Sequence, residues 1–108
     1  MAKFKPNPGE NLIGESWMAL RTKSGLGHHQ ENTKVHVTDQ RVFCDHMIGT
    51  VYMDVPLAQI QGFRMGKVML LVPSVTIFTK DDVEYVFADL RANKLAGWLR
   101  EAGIAELS

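Results

Sequence analysis

Between Asp89 and Ala102 the apolar positions Leu95, Trp98, Leu99 and Ala102 recur at i, i+3, i+4 and i+7, which predicts one amphipathic helix with a single apolar stripe. Upstream the pattern changes to the two-residue period of strands. From Glu15 to Thr22, Trp17, Ala19 and Arg21 fall on one side and Met18 and Leu20 on the other, which suits a first strand. A long loop is expected over Ser24–Asn32, where Gly25 and Gly27 interrupt the alternation. Val35 and Val37 alternate with Lys34, His36 and Thr38, Asp39-Gln40 supply a turn, and Val42 to Asp45 return, so a hairpin is predicted there. Val51–Val55 reads as another strand, ended by Pro56, and Leu57–Phe63 as the next. Val68–Val72 and Val75–Thr79 follow, separated by Pro73-Ser74, and Glu84–Ala88 comes last after a Lys80-Asp81-Asp82 turn. The count is seven short strands and a terminal helix, and the helix must lay its Trp98 stripe on a sheet, across the open end of a curved one.

Asp89 is placed as the helix N-cap and Gly103 as the left-handed residue after its end. Gly97 inside the helix costs about 1 kcal/mol against alanine, either as a tolerated cost or to let the helix backbone approach a strand. Residues 1–14, with Pro6, Pro8 and Gly9, read as an extended arm before a domain at 15–108.

With 108 residues there is room for one core. Lys plus Arg balance Asp plus Glu at 12 each, so no global field draws the chain to nucleic acid or to an anionic membrane. The single cysteine, Cys44, excludes an internal disulfide, and no apolar stretch follows the basic residues at the start, so a cytoplasmic setting is expected. The longest apolar run, Val68–Val72, is far shorter than the roughly 20 residues of a membrane span.

Lys34-Val35-His36-Val37-Thr38-Asp39-Gln40-Arg41-Val42-Phe43 resembles the hairpin of GRAM and bacterial pleckstrin-homology-like domains, in which an aliphatic strand ends in Thr, a polar turn residue and Arg before a second apolar strand. Val55-Pro56-Leu57-Ala58-Gln59-Ile60 is similar to the aliphatic-Pro-Leu-x-x-Ile segment that follows in that family. The stretch from Val75 to Phe87 resembles its last hairpin, and Trp98 stands where related domains carry a tryptophan in the closing helix. The resemblance runs from about Glu15 to Gly103. It implies a mainly β fold, a seven-stranded, bent antiparallel barrel plugged at one end by the C-terminal helix. Such folds host lipid binding, peptide binding and scaffolding, so the fold alone does not select a function.

Lipid-binding members of the superfamily surround the loop between strands one and two with cations. Here Arg21 and Lys23 flank Ser24–Asn32 on one side and Lys34 and His36 on the other, so these four are the candidate contacts to anionic headgroups. Against this stand a histidine where a second strong cation is usual, Glu31 in the loop, and the zero net charge. His28, His29, His36 and His46 lack the spacing of a metal site, and no metal or other cofactor is expected. Cys44 lies mid-strand as a small buried residue, and no nucleophile elbow or phosphate loop occurs, so no catalytic residue is assigned. Phe63-Arg64-Met65-Gly66-Lys67 is too sparse for nucleic-acid binding and reads as a loop. The odd feature is apolar. If Val68, Leu70 and Val72 face the core, Met69 and Leu71 face outward, and Met47-Ile48 add two more apolar residues at a hairpin tip. Either the Phe4–Pro8 arm covers them or they form a partner interface, most simply with a second copy. The expectation is a non-enzymatic, self-associating interaction domain with Met69, Leu71, Met47 and Ile48 at the contact. The alternative is a peripheral membrane module using the basic residues.

Overall fold

The computed structural model describes residues 4–24, 27–46, 49–68 and 70–107, with 22–24 and 27–29 described in their backbone only. In chain order the elements are β1 (Leu12–Ser24), β2 (Gly27–Thr38), β3 (Arg41–His46), β4 (Val51–Pro56), a 3-10 turn (Leu57–Gln59), β5 (Ile60–Val68), β6 (Val72–Thr79), β7 (Glu84–Ala88) and α1 (Ala92–Glu101). All seven strands belong to one antiparallel sheet in the order β4-β3-β2-β1-β7-β6-β5. The sheet curls into a half-barrel around one core and α1 packs into it. Met18 and Leu20 of β1, Val35 and Val37 of β2, Val42 and Cys44 of β3, Phe63 of β5 and Phe87 of β7 meet Ala92, Leu95, Ala96 and Leu99 of the helix in one buried cluster. The predicted alternation and helical stripe are therefore the two faces of the same core.

Several boundaries differ from those the pattern predicts. The loop expected at Ser24–Asn32 is mostly strand, because β1 and β2 stay paired out to Ser24 opposite Gly27. Backbone pairing continues there beyond the core, where no apolar alternation signals it. Leu57–Phe63 is not one strand: Pro56 leads into the 3-10 turn, and a single strand, β5, begins at Ile60 and runs through the predicted Phe63–Lys67 loop. Val68–Val72 is not a strand either. Val68 pairs with Val72, so the run closes the β5–β6 hairpin, with Leu70 at a φ of 69°. A hydrophobic run carries no mark of the turn inside it.

The helix starts later than predicted, at Ala92, with Arg91 rather than Asp89 as its N-cap. Asp89 instead stiffens the preceding turn, its Oδ1 accepting from the Arg91 amide at 2.8 Å. Gly103 ends the helix as expected, at a φ of 88°, with the Gly103 amide donating to the Arg100 carbonyl and Ile104 to Leu99. Gly97 has open space where a Cβ would stand, so it makes no close approach. That role falls to Gly14 of β1, whose hypothetical Cβ would lie 2.1 Å from the Trp98 ring. Past the helix, the Phe63 amide donates to the Ala105 carbonyl at 2.9 Å and the Leu107 amide to the Phe63 carbonyl at 2.7 Å, which covers the outer edge of β5.

Candidate functional site

Residues 4–11 form a hook rather than an extended arm. Asn7-Pro8-Gly9-Glu10 closes a tight turn, the Glu10 amide donating to the Asn7 carbonyl at 3.0 Å with Gly9 at a φ of 76°. The turn drives the Glu10 side chain out of solvent beneath the β2–β3 hairpin. There its Oε2 accepts from Arg41 Nε at 2.9 Å and from the Thr38 hydroxyl at 2.6 Å, and its Oε1 from the Asn7 amide at 2.7 Å. Burial alone would raise the Glu10 carboxyl, but Arg41, Thr38 and the Asn7 amide together outweigh it and pull it down to about 2. Thr38 Oγ1 also accepts the amides of Gln40 and Arg41 at 3.0 Å each. Arg41 further donates to the Lys5 carbonyl at 2.8 Å and to Asp54 at 3.2 Å. This explains structurally the Thr and Arg that flank the hairpin turn. The network itself was missed from the sequence, although Asn-Pro-Gly signals its turn.

Because of the hook, β3 is buried on both faces. Phe4 stacks on the His36 ring with centroids 4.3 Å apart and planes 9° apart, and it also touches Phe43 at 5.5 Å. His36 is 4% exposed; its Nδ1 lies 2.8 Å from Glu15 Oε2 and its Nε2 lies 3.2 Å from Asp45 Oδ1. Beside it a shallow pocket of about 390 Å³ is lined by Phe4, Glu15, Trp17, Lys34, Asp45 and His46 as well as His36.

Of the four candidate headgroup contacts, Arg21, Lys34 and His36 do not converge. Register places Lys34 opposite Trp17 and Arg21 opposite Gln30, roughly 13 Å apart along the strands. Lys34 Nζ lies 3.6 Å from Glu15, and His36 is buried between two carboxylates under Phe4. The side chain of Lys23 lies outside the described residues, as do those of His28 and His29. Among the described residues no three His, Cys, Asp or Glu side chains are grouped to hold a metal ion. Cys44 is wholly buried, and burial, with Asp45 nearby and against a hydrogen bond to Thr33, pushes its thiol up to about 12. Phe63 is in the core, with Arg100 over its ring, and Arg64 lies over Phe78, so that stretch presents no exposed aromatic beside its cations.

The described part of the apolar feature is built differently, and residues 4–11 leave Leu71 uncovered. Of its predicted members, Met69, Met47 and Ile48 lie outside the described residues. Leu71 and its neighbour Leu70 project from the hairpin tip, 84% and 89% exposed. The Asp89 amide donates to the Pro73 carbonyl at 3.2 Å, which brings the turn into α1 alongside the base of that tip. Leu90 in this turn is 81% exposed. The three most exposed large apolar side chains among the described residues thus share one end of the molecule. Leu70 is strained as well: a left-handed backbone disfavours any side chain but glycine, asparagine or aspartate.

No family model matches the chain, and no curated protein matches its sequence. Solved structures do match in fold. The C-terminal domain of an unknown protein from Leishmania infantum superposes with a TM-score of 0.72 at 9% identity, over 88% of this chain and 85% of that one. The pleckstrin-homology domain of human pleckstrin homology domain-containing protein family A member 5 superposes with a TM-score of 0.61 at 13% identity, over 98% and 88%. The chain has a pleckstrin-homology-like fold. No helix among the described residues is long and apolar enough to cross a membrane.

Proposed function

We propose that this chain is a non-enzymatic pleckstrin-homology-like interaction module that docks through the end carrying Leu70, Leu71 and Leu90, in the first instance onto a second copy of itself. The observation that carries the reading is the grouping of three leucines more than 80% exposed beside a hairpin whose strained Leu70 has no packing role within the chain. Exposed apolar groups at a two-fold contact are buried twice for one surface, and a zero net charge leaves the copies free to approach. Light scattering on a sizing column tests this. A multimer is expected for the wild type and a monomer for Leu71→Lys/Leu90→Lys, with circular dichroism confirming that the variant is folded. A wild type that stays monomeric at every concentration refutes self-association.

A second reading is favoured by charge. Lys67 in the hairpin and Lys94 of α1 are exposed on the elements that carry the leucines, with Arg91 paired to Asp89, whereas Asp81, Asp82 and Glu84 outnumber Lys80 at the far end of β6. That polarity supports docking of the same end on an anionic membrane surface. Salt separates the two readings: binding to phosphatidylserine vesicles falls as ionic strength rises to about 0.5 M, while an apolar self-contact persists or strengthens.

A further inference from the structure

Trp17 stands on the outward side of β1, since Met18 and Leu20 point into the core, and it keeps 40% of its surface exposed. The hook stops short of covering it. Phe4 lies on His36 and Phe43, which pair with each other across β2 and β3, whereas Trp17 belongs to the next row of the same face, opposite Lys34 and, beyond it, Asp45. The hollow of about 390 Å³ lies between the two aromatic rings. Trp17 also borders a second hollow of about 280 Å³, which Ala19 and Asn32 share with Asp89 and Arg91 at the entry to α1. A tryptophan left half-open between two hollows is the type of anchor on which protein interfaces concentrate their binding energy.

The first hollow has one open polar position. Asp45 is only 8% exposed, and its Oδ1 lies 3.2 Å from His36 Nε2. Its Oδ2 has no hydrogen-bond partner among the described residues. No unpartnered side-chain oxygen there is sealed from solvent, so Oδ2 opens into the hollow that Asp45 lines. An ionised carboxylate accepts several hydrogen bonds, and one held mostly out of water gains most from a donor that carries positive charge. Lys34 is the cross-strand neighbour of Asp45 but does not fill that place, because its Nζ is drawn to Glu15 Oε1 at 3.6 Å. Leaving the histidines aside, two carboxylates face one ammonium in this hollow, so it favours a cation. A guanidinium suits it better than an ammonium. Its flat face stacks on an indole while its edge presents N–H groups to a carboxylate.

We propose that this hollow seats an arginine side chain from an extended segment of a partner protein, its guanidinium stacked on Trp17 and donating to Asp45 Oδ2. The second hollow is the reason for assigning a peptide rather than a free cation. It lies where the pairing of β1 with β7 ends, at Ala19, and gives room for residues that flank the arginine. The inference is independent of what docks at Leu70 and Leu71.

The test is a titration of the full chain with the capped tripeptide Gly-Arg-Gly, followed by nuclear magnetic resonance of the two tryptophan indole N–H groups. Trp98, seated against Gly14, is the internal control. The Trp17 indole and the Asp45 amide should shift saturably while the Trp98 indole stays in place. A peptide with citrulline in place of arginine keeps the shape without the charge and should bind about tenfold more weakly or worse. Asp45→Asn should weaken the arginine peptide by a similar factor. Because Asp45 also contacts His36, Trp17→Leu, at a half-open position, tests the same seat separately and should weaken binding about two- to fivefold. A Trp17 indole that does not respond at about 50 mM peptide overturns the proposal, since even a millimolar site would then be filled. Equal binding of the arginine and citrulline peptides overturns it too, as does a folded Trp17→Leu protein that binds as tightly as the wild type.

Discussion

The β2–β3 and β5–β6 hairpins are finished in opposite ways. At β2–β3 the polar side chains of the turn are tied to the same chain: Thr38 holds two turn amides and Glu10, Arg41 binds Glu10, Asp54 and the Lys5 carbonyl, and Asp39 takes the amide and side chain of Asn11 at 2.9 Å. At β5–β6 the apex carries Leu70 and Leu71 into solvent, Leu70 on a backbone that asparagine or glycine would hold at lower cost. The first end spends its side chains on stability. The second keeps apolar surface and strain that stabilise nothing within the chain, the condition expected where a partner completes the contact.

The largest effect should come from breaking the finished end. Arg41→Ala leaves Glu10 buried without its cation and is expected to destabilise the fold by about 3–5 kcal/mol, measured by urea unfolding. The same pair sets an acid limb. Since Glu10 is held down to about 2, its contribution is present above the ordinary glutamate range and is lost as pH falls through that range toward 2. Glu10→Gln should therefore be less stable than wild type at neutral pH and lose less on acidification, a difference that parallel urea midpoints would expose. Gly14→Val drives a side chain into the Trp98 ring and should cost about 1–3 kcal/mol by thermal or urea unfolding; an unchanged midpoint would mean that Trp98 can move aside. At the unfinished end the sign reverses. Leu70→Asn should stabilise the monomer by about 1 kcal/mol while weakening docking, and a loss of stability would show that Leu70 packs within the chain after all. The smallest change lies away from both ends: Gly97→Ala, with open space at its Cβ, should add about 0.5–1 kcal/mol and leave docking untouched.

Much of the fold was legible residue by residue. Leu95 and Leu99 are buried in the core and Gly103 ends the helix, as their spacing required. Thr38-Asp39-Gln40-Arg41 makes its turn, and Val35, Val37 and Val42 face inward. The candidate site was legible only in part. The apolar run marked Leu71 as outward-facing, but it read as a strand face and proved to be a turn, so Leu70 and Leu90 were absent from the expected interface. The basic residues were grouped around a loop that the β1–β2 pairing replaces, which separates Arg21 from Lys34 along the strands.

What the sequence alone determined is everything carried by period and local hydrogen bonding: one amphipathic helix, alternating strands, a Thr-led hairpin turn, a glycine stop. These depend on residues a few positions apart, whose relative placement follows from the backbone geometry. What only the tertiary structure decided is which surfaces are covered. Phe43 and Asp45 lie on the outward side of β3 and are buried because Phe4, about 40 residues earlier, folds over that face, and Trp98 is seated because Gly14 leaves room for its ring. Coverage of this kind joins residues distant along the chain, and no local pattern records it.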